Sequence, residues 1–223
     1  MSNLTLYLLR HGESVANVER VFAAKKIDPP LSDTGIQQAK MQAQSLRSLS
    51  LNSNFEFSAL YASPLLRARH TANIVGQCCG LEPIFSDDLM EIDVGILDGD
   101  DQEDPIKWAM YEGVIEKWNQ GLYDVGFQAG ESLNDVRTRF SRFLQELEDK
   151  QSESNREGSE NILVVGHCLL FMAVIWLFCE NHGHTLEDGH MGRGHLSIIS
   201  KSNDRFRLLK FNISPEKSAK YEN

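Results

Sequence analysis

The stretch that most constrains this chain is its first strand candidate. Leu4-Thr5-Leu6-Tyr7-Leu8-Leu9 is apolar and rich in strand formers, and it stops abruptly at Arg10-His11-Gly12-Glu13-Ser14. A near-continuous apolar run is how a strand reads when both its faces are covered, as in a parallel sheet between helices. Ligands in such sheets bind beyond the carboxyl ends of the strands. An arginine and a histidine delivered there suit an anion, the guanidinium as a fixed fork of donors and the imidazole as nucleophile or proton shuttle. By itself the triplet also fits a solvated turn, so the weight falls on whether other strands end in the same way.

Two further segments do. Ala59-Leu60-Tyr61-Ala62 reads as a short strand closed by Ser63-Pro64, and a helix from about Leu65 to Cys78 follows with Arg67, Arg69, His70 and Thr71 in its first turns. The start of a helix already offers unpaired amides to an anion. Ile162-Leu163-Val164-Val165 has the most buried character of any strand candidate, and it ends in Gly166-His167. On parallel neighbours these three ends converge, giving two histidines and two arginines around a space suited to a tetrahedral dianion.

The remaining pattern is that of an α/β protein. Residues 14–26 read as a loop or short helix. Ser32 or Asp33 caps a helix with Ile36, Ala39, Ala43, Leu46 and Leu49 at helical spacing. A long amphipathic helix covers 131–149, a polar linker 150–160, and a buried helix about 169–179. A final hairpin pairs 195–200 with 206–211 through Asn203-Asp204, and the tail from Ser214 reads as frayed. Between 82 and 130 the alternation of strand and helix lapses. There the acidic run Asp98 to Asp104 reads as a solvated loop, Ile106 to Trp118 as a helix, and 121–130 as a glycine-rich connection. The expectation is a single domain over 1–223, a three-layer α/β/α sandwich with a mostly parallel central sheet and a small inserted cap at about 91–130. The aromatics Trp108, Tyr111, Trp118, Tyr123 and Phe127 read first as the cap's own core, with a ring-binding wall as the alternative.

With Asp and Glu at 32 against 22 Lys and Arg, the net charge of -10 argues against a nucleic-acid or anionic-membrane surface. Ile162 to Cys179 is apolar, but Gly166 and His167 split it into a strand and a helix, so no membrane span is expected. Cys78, Cys79, Cys168 and Cys179 lack metal-ligand or disulfide-framework spacing, and no signal peptide follows Met1. The expected setting is therefore a reducing cytoplasm. His182, His184, His190 and His195 form no zinc spacing, so neither metal nor cofactor is expected. The pattern carries no signal for oligomeric state.

Five patches, in order, resemble the histidine phosphatase superfamily of phosphoglycerate-mutase-like enzymes (branch 1). They are Arg10-His11-Gly12-Glu13-Ser14 with Asn17; Pro30-Leu31-Ser32 with Gly35; Ser63-Pro64-Leu65-Leu66-Arg67-Ala68 with Thr71-Ala72; Glu91 with Gly95 and Gly99; and Val164-Val165-Gly166-His167. The resemblance implies that His11 is a nucleophile forming a phosphohistidine. Arg10, Arg67 and His167 would grip the phosphoryl oxygens, Asn17 would add a neutral donor, and Glu91 would act as acid and then base. Three departures bear on substrate. Ala24-Lys25 stands where many relatives have Gln-Gly, so Lys25 either reaches a second anionic group or is solvated. Cys168 follows His167, either as a substrate contact with a lowered pKa at a helix start or as a small packed side chain. The basic cluster that mutases carry after the glutamate is replaced here by acidic residues, with only Lys107 and Lys117 in the helix. The implied activity is hydrolysis of a small phosphorylated metabolite. A phosphoglycerate-type mutase and a non-catalytic phosphoryl-binding protein are the alternatives.

Overall fold

The computed structural model describes residues 4–52, 55–154, 160–183, 186, 190–202 and 205–218. Six strands form one sheet: β1 (Leu4–Arg10), β2 (Ala59–Ala62), β3 (Pro83–Phe85), β4 (Glu160–Gly166), β5 (Leu196–Ser202) and β6 (Arg205–Ile213). Their order is β3-β2-β4-β1-β5-β6. The four strands from β3 to β1 are parallel, and β5 and β6 add an antiparallel edge. The mostly parallel sheet expected from the apolar runs is therefore present.

Alternation within those runs sorts side chains onto two faces. Leu4, Leu6 and Leu8 of β1 and Ile162 and Val164 of β4 pack into one core; Leu9, Leu163 and Val165 pack into the other. The first core is covered by α5 (Leu133–Ser154) and α6 (Cys168–Phe178), through Val136, Phe140, Phe143 and Phe171. The second is covered by α2 (Asp33–Asn52) and α3 (Leu66–Cys79), through Ala43, Leu46, Ala68, Ala72 and Val75. Leu163, Val164 and Val165 are wholly buried, and each side chain of that size contributes roughly 1.5–3 kcal/mol by leaving water. Both faces of the sheet are thus layered with helix, which is the α/β/α sandwich.

Two further helices join the frame. Five-residue α1 (Val15–Glu19) follows β1, and α4 (Pro105–Asn119) starts at Asp104, whose carboxylate accepts from the amides of Ile106 (2.8 Å) and Lys107 (3.4 Å). Among the described residues no strand occurs between β3 and β4, and Trp118 and Phe127 of this interval join the first core.

Several expectations change in detail. β3 was not foreseen; three residues suffice because it only pairs with the edge of β2. α5 continues to Ser154 where a linker was expected to begin at 150: Lys, Gln and Glu are good helix formers, and no glycine or proline interrupts them. Residues 155–159 of that expected linker lie outside the described residues, as do Asn203 and Asp204 of the hairpin turn and His184. After Ser214, where a frayed tail was expected, the chain forms α7 (Pro215–Ser218), and residues 219–223 lie outside the described residues. Pro215 is buried there, and its carbonyl accepts from Ser45 Oγ of α2 at 2.8 Å.

Among the described residues no helix is long and apolar enough to cross a membrane.

Candidate active site

The carboxyl ends of β1, β4 and β2 lie side by side. Arg10 stands opposite Gly166 in the β1–β4 register, the His11 amide donates to the Gly166 carbonyl at 3.0 Å, and the Ser63 amide donates to Val165 at 3.0 Å. Main-chain pairing therefore fixes the level of His11, His167 and Ser63 before any side chain is considered. The chain leaves β1 through a backbone contact that only glycines allow. A Cβ on Gly12 would lie 2.3 Å from the Gly35 carbonyl oxygen, and one on Gly35 would lie 1.9 Å from that of Glu13.

His11 is buried, and its Nδ1 lies 2.6 Å from the Gly12 carbonyl. A carbonyl oxygen only accepts, so Nδ1 carries the proton and Nε2 keeps its lone pair. Burial first, and then the charges of Arg67 and Arg10, hold this imidazole well below the ordinary histidine value. It is neutral at pH 7 and free to attack from Nε2.

His167 is wholly buried with its ring centroid 5.1 Å from that of His11. Its Nε2 is 2.8 Å from Ser63 Oγ, and that oxygen also accepts from the Leu65 amide at 3.3 Å. The hydroxyl proton has no other acceptor among the described residues, so it goes to Nε2 and leaves the ring proton on Nδ1. His167 Nδ1 is buried without a protein partner. Burial and then Arg67 push this ring, too, well below the usual histidine range.

Two more orphaned donors face the same space. Arg10 Nη1 donates to the Met191 carbonyl, while its Nε is buried and unpaired. Arg67 is 2% exposed; its Nη2 donates to the carbonyls of Ala23 (3.0 Å) and Ala24 (3.3 Å), and its Nη1 makes no hydrogen bond, with Asp28 Oδ1 at 3.6 Å. Burial lowers the Arg67 pKa while Glu91, Asp28 and Asp98 oppose the shift. Leaving buried donors unpaired is costly, and three of them around one imidazole describe a cradle for an anion. Asn17 lines the same cavity. Its Oδ1 accepts from the Ser14 amide at 3.1 Å as part of the α1 capping box, which leaves its amide nitrogen without a hydrogen bond.

Glu91 lines the cavity opposite this cradle, held by the start of α6. Its Oε1 accepts from the amides of Ile92 (2.9 Å) and Leu170 (2.8 Å), and its Oε2 only from Leu169 at 3.2 Å. Oε2 is thus the less engaged of the two carboxylate oxygens.

Two substrate-contact expectations meet different surroundings. Lys25 does not line the cavity. Its ammonium lies 3.5 Å from Glu131 and 3.9 Å from Asp93, so it is turned into an acidic pair and offers no second anion site. Cys168 does line the cavity, yet its Sγ sits 3.6 Å from the Met191 carbonyl and burial raises its pKa, so it is a packed thiol with no thiolate character.

The acidic run also departs from the solvated loop expected of it. Asp98 is 2% exposed, and its carboxylate accepts from the amides of Ala24, Lys25 and Lys26 at 3.0, 2.8 and 2.5 Å. The loop so held presents the carbonyls that grip Arg67.

Sequence reasoning assigned no role to Ser63, Met191 or Arg193. Ser63 stood in a quoted patch and could have been found as the residue after β2. Met191 acts through its carbonyl, which leaves no trace in residue type. Arg193, in the cavity wall and 3.0 Å from Glu13, stands among histidines that drew attention away from it. Of those histidines, His182 packs on Trp176, while His190 and His195 both line the cavity, His195 Nδ1 lying 2.8 Å from Asn212 Oδ1. Among the described residues no three His, Cys, Asp or Glu side chains come together as a metal-holding group.

The family model of the histidine phosphatase superfamily (branch 1) matches residues 6–214. The chain belongs to that superfamily. Within it, phosphoserine phosphatase 1 of Hydrogenobacter thermophilus is 30% identical over 94% of this chain and 92% of its own length. A 2,3-bisphosphoglycerate-dependent phosphoglycerate mutase of Afipia carboxidovorans is 34% identical over 66% of this chain and 70% of its own. Among solved structures of this superfamily's fold, a mycobacterial glucosyl-3-phosphoglycerate phosphatase in complex with VO3 superposes with a TM-score of 0.76. It is 26% identical and covers 94% of this chain and 99% of its own.

Proposed function

We propose that this member of the histidine phosphatase superfamily is a phosphomonoester hydrolase working through a phosphohistidine on His11. The observation that carries this reading is the ring of unpaired buried donors, Arg10 Nε, Arg67 Nη1 and His167 Nδ1, beside an imidazole whose Nδ1 is locked and whose Nε2 is free. The phosphoryl oxygens of a bound ester take those three hydrogen bonds, and Asn17 supplies a fourth. His11 Nε2 attacks phosphorus as the P–O bond to the alcohol breaks, and Glu91 Oε2 gives its proton to the departing oxygen. Water then attacks the phosphohistidine, Glu91 takes back a proton, and the N–P bond breaks to release phosphate. Charge that grows on the equatorial oxygens is met by groups already oriented and largely dry. The cradle supplies that charge from side chains alone, so we assign the reaction no metal and no cofactor.

Hydrolysis is favoured over mutase chemistry by the fate of the lysines. A second anionic group on the substrate needs a cation, but Lys25 is turned to Glu131, and Lys107 Nζ is 2.8 Å from Asp100. A positioned acid such as Glu91 serves no purpose in a protein that only binds phosphate. Four free cysteines and the acidic composition support a cytoplasmic setting, with small phosphorylated molecules as the partners.

The test is phosphate release from a panel of phosphomonoesters with EDTA present and His11→Ala in parallel. Release by the wild-type protein alone is expected. Transfer of phosphoryl from a bisphosphate to a phosphoglycerate without net release identifies a mutase instead.

A further inference from the structure

The cavity extends well past the phosphoryl cradle. It measures about 820 Å³, in the range that takes in most of a drug-sized molecule, which leaves room for the alcohol part of a substrate. Part of the wall is apolar and aromatic, with Trp108, Tyr111 and Ile115 the partly exposed members and Phe22, Met172 and Leu186 almost wholly buried. Phe22 and Trp108 stack with centroids 6.1 Å apart, and Tyr111 is tilted against both at 5.4 Å. The aromatics of the 91–130 segment are therefore divided in use. Trp118 is wholly buried, with its Nε1 donating to the Val125 carbonyl at 2.6 Å, whereas Trp108 and Tyr111 give their surface to the cavity.

Charge in the outer cavity is of the wrong sign for a second anionic group. Once Arg10 and Arg67 are engaged by phosphate, the described lining cation that remains is Arg193, already 3.0 Å from Glu13. From α4, Glu112 and Glu116 also line the cavity, with no ion pair to a cation among the described residues. Tyr111 adds one neutral handle. Its hydroxyl has no hydrogen-bond partner among the described residues, and burial raises its pKa, so it stays a donor.

We infer that the preferred substrate is a phosphomonoester of a bulky, ring-bearing alcohol that carries no second anionic group. The ring lies against Trp108 and Tyr111, and Glu112 and Glu116 repel carboxylate or phosphate substituents. This rests on the phosphatase reading and names its substrate class.

The full chain is assayed for kcat/KM with 1-naphthyl phosphate, 3-phosphoglycerate and O-phosphoserine. At least about a tenfold preference for 1-naphthyl phosphate over each of the others is expected, the order of discrimination apolar contacts deliver. In a Glu112→Lys/Glu116→Lys variant, both on exposed positions of α4, the ratio of 1-naphthyl phosphate to 3-phosphoglycerate is expected to fall severalfold. A wild-type preference below about tenfold, or one for the anionic esters, overturns the inference and leaves the phosphatase standing. An unchanged ratio in the variant overturns the role given to the carboxylates. No release from any of the three overturns the phosphatase reading and this inference together.

Discussion

At the scale of single residues, the site works through proton placement. Gly12 fixes the His11 proton on Nδ1, and Ser63 fixes that of His167 on its partnerless Nδ1. Ser63→Ala removes the hydroxyl that sets this second tautomer while leaving the anion cradle's charges in place. It is expected to lower kcat by about tenfold, the worth of one lost hydrogen bond in a buried network, and steady-state kinetics on the best ester measures it. Both imidazoles also couple stability to pH. Burial holds each well below its ordinary value, whereas in the unfolded chain each takes a proton near pH 6.5. The unfolded state thus binds more protons below about pH 6.5, and stability falls as the pH drops through that window. Thermal unfolding of the ligand-free protein between about pH 7.5 and 5 is expected to show this loss. A His11→Asn/His167→Asn variant is expected to show a shallower slope.

At the scale of elements, the site depends on segments that touch no substrate. The buried Asp98 carboxylate collects three amides of residues 24–26, and the carbonyls of that loop hold Arg67 Nη2. Asp98→Ala leaves those amides without their acceptor and is expected to cost about 3 kcal/mol by chemical denaturation, with a raised KM as Arg67 loosens. Asp98→Asn keeps one acceptor oxygen and is expected to lie between it and the wild type. The segment bearing Glu91 is braced similarly. Arg139 Nε bonds Glu131 at 2.8 Å, and Glu131 in turn accepts from the Asp93 amide at 2.8 Å. These braces were not legible in the sequence. Asp98 sits in a run of carboxylates whose average behaviour is to face water, and what distinguishes it is a loop 74 positions away that needs an acceptor.

At the scale of the molecule, what could be read was whatever the strand ends impose. Leu4–Leu9 and Ile162–Val165 carry their burial in their composition, and once they are parallel neighbours the level of Arg10, His11, Gly166 and His167 follows from main-chain pairing. Arg67 was visible for the same reason, one step into the helix behind β2. The unread parts come from elements with no periodic pattern. Met191 and Arg193 lie in an irregular connection, and α4 mixes apolar and charged residues around its surface, so Trp108 and Tyr111 could not be told from Trp118. Lys25 illustrates the limit of residue type alone: a lysine beside the site was readable, but the carboxylates of Asp93 and Glu131 that capture it come from far along the chain.

The proposed mechanism requires that His11 Nε2 take the phosphoryl group. The direct measurement is rapid quench of the wild-type enzyme during turnover of its best ester, followed by intact mass and peptide mapping under alkaline conditions. One added phosphoryl group on His11, base-stable and lost in acid, with none in Glu91-intact His11→Ala, is the predicted result. Steady turnover with phosphate released and no adduct on His11 at any quench time, or full activity in His11→Ala, contradicts the account.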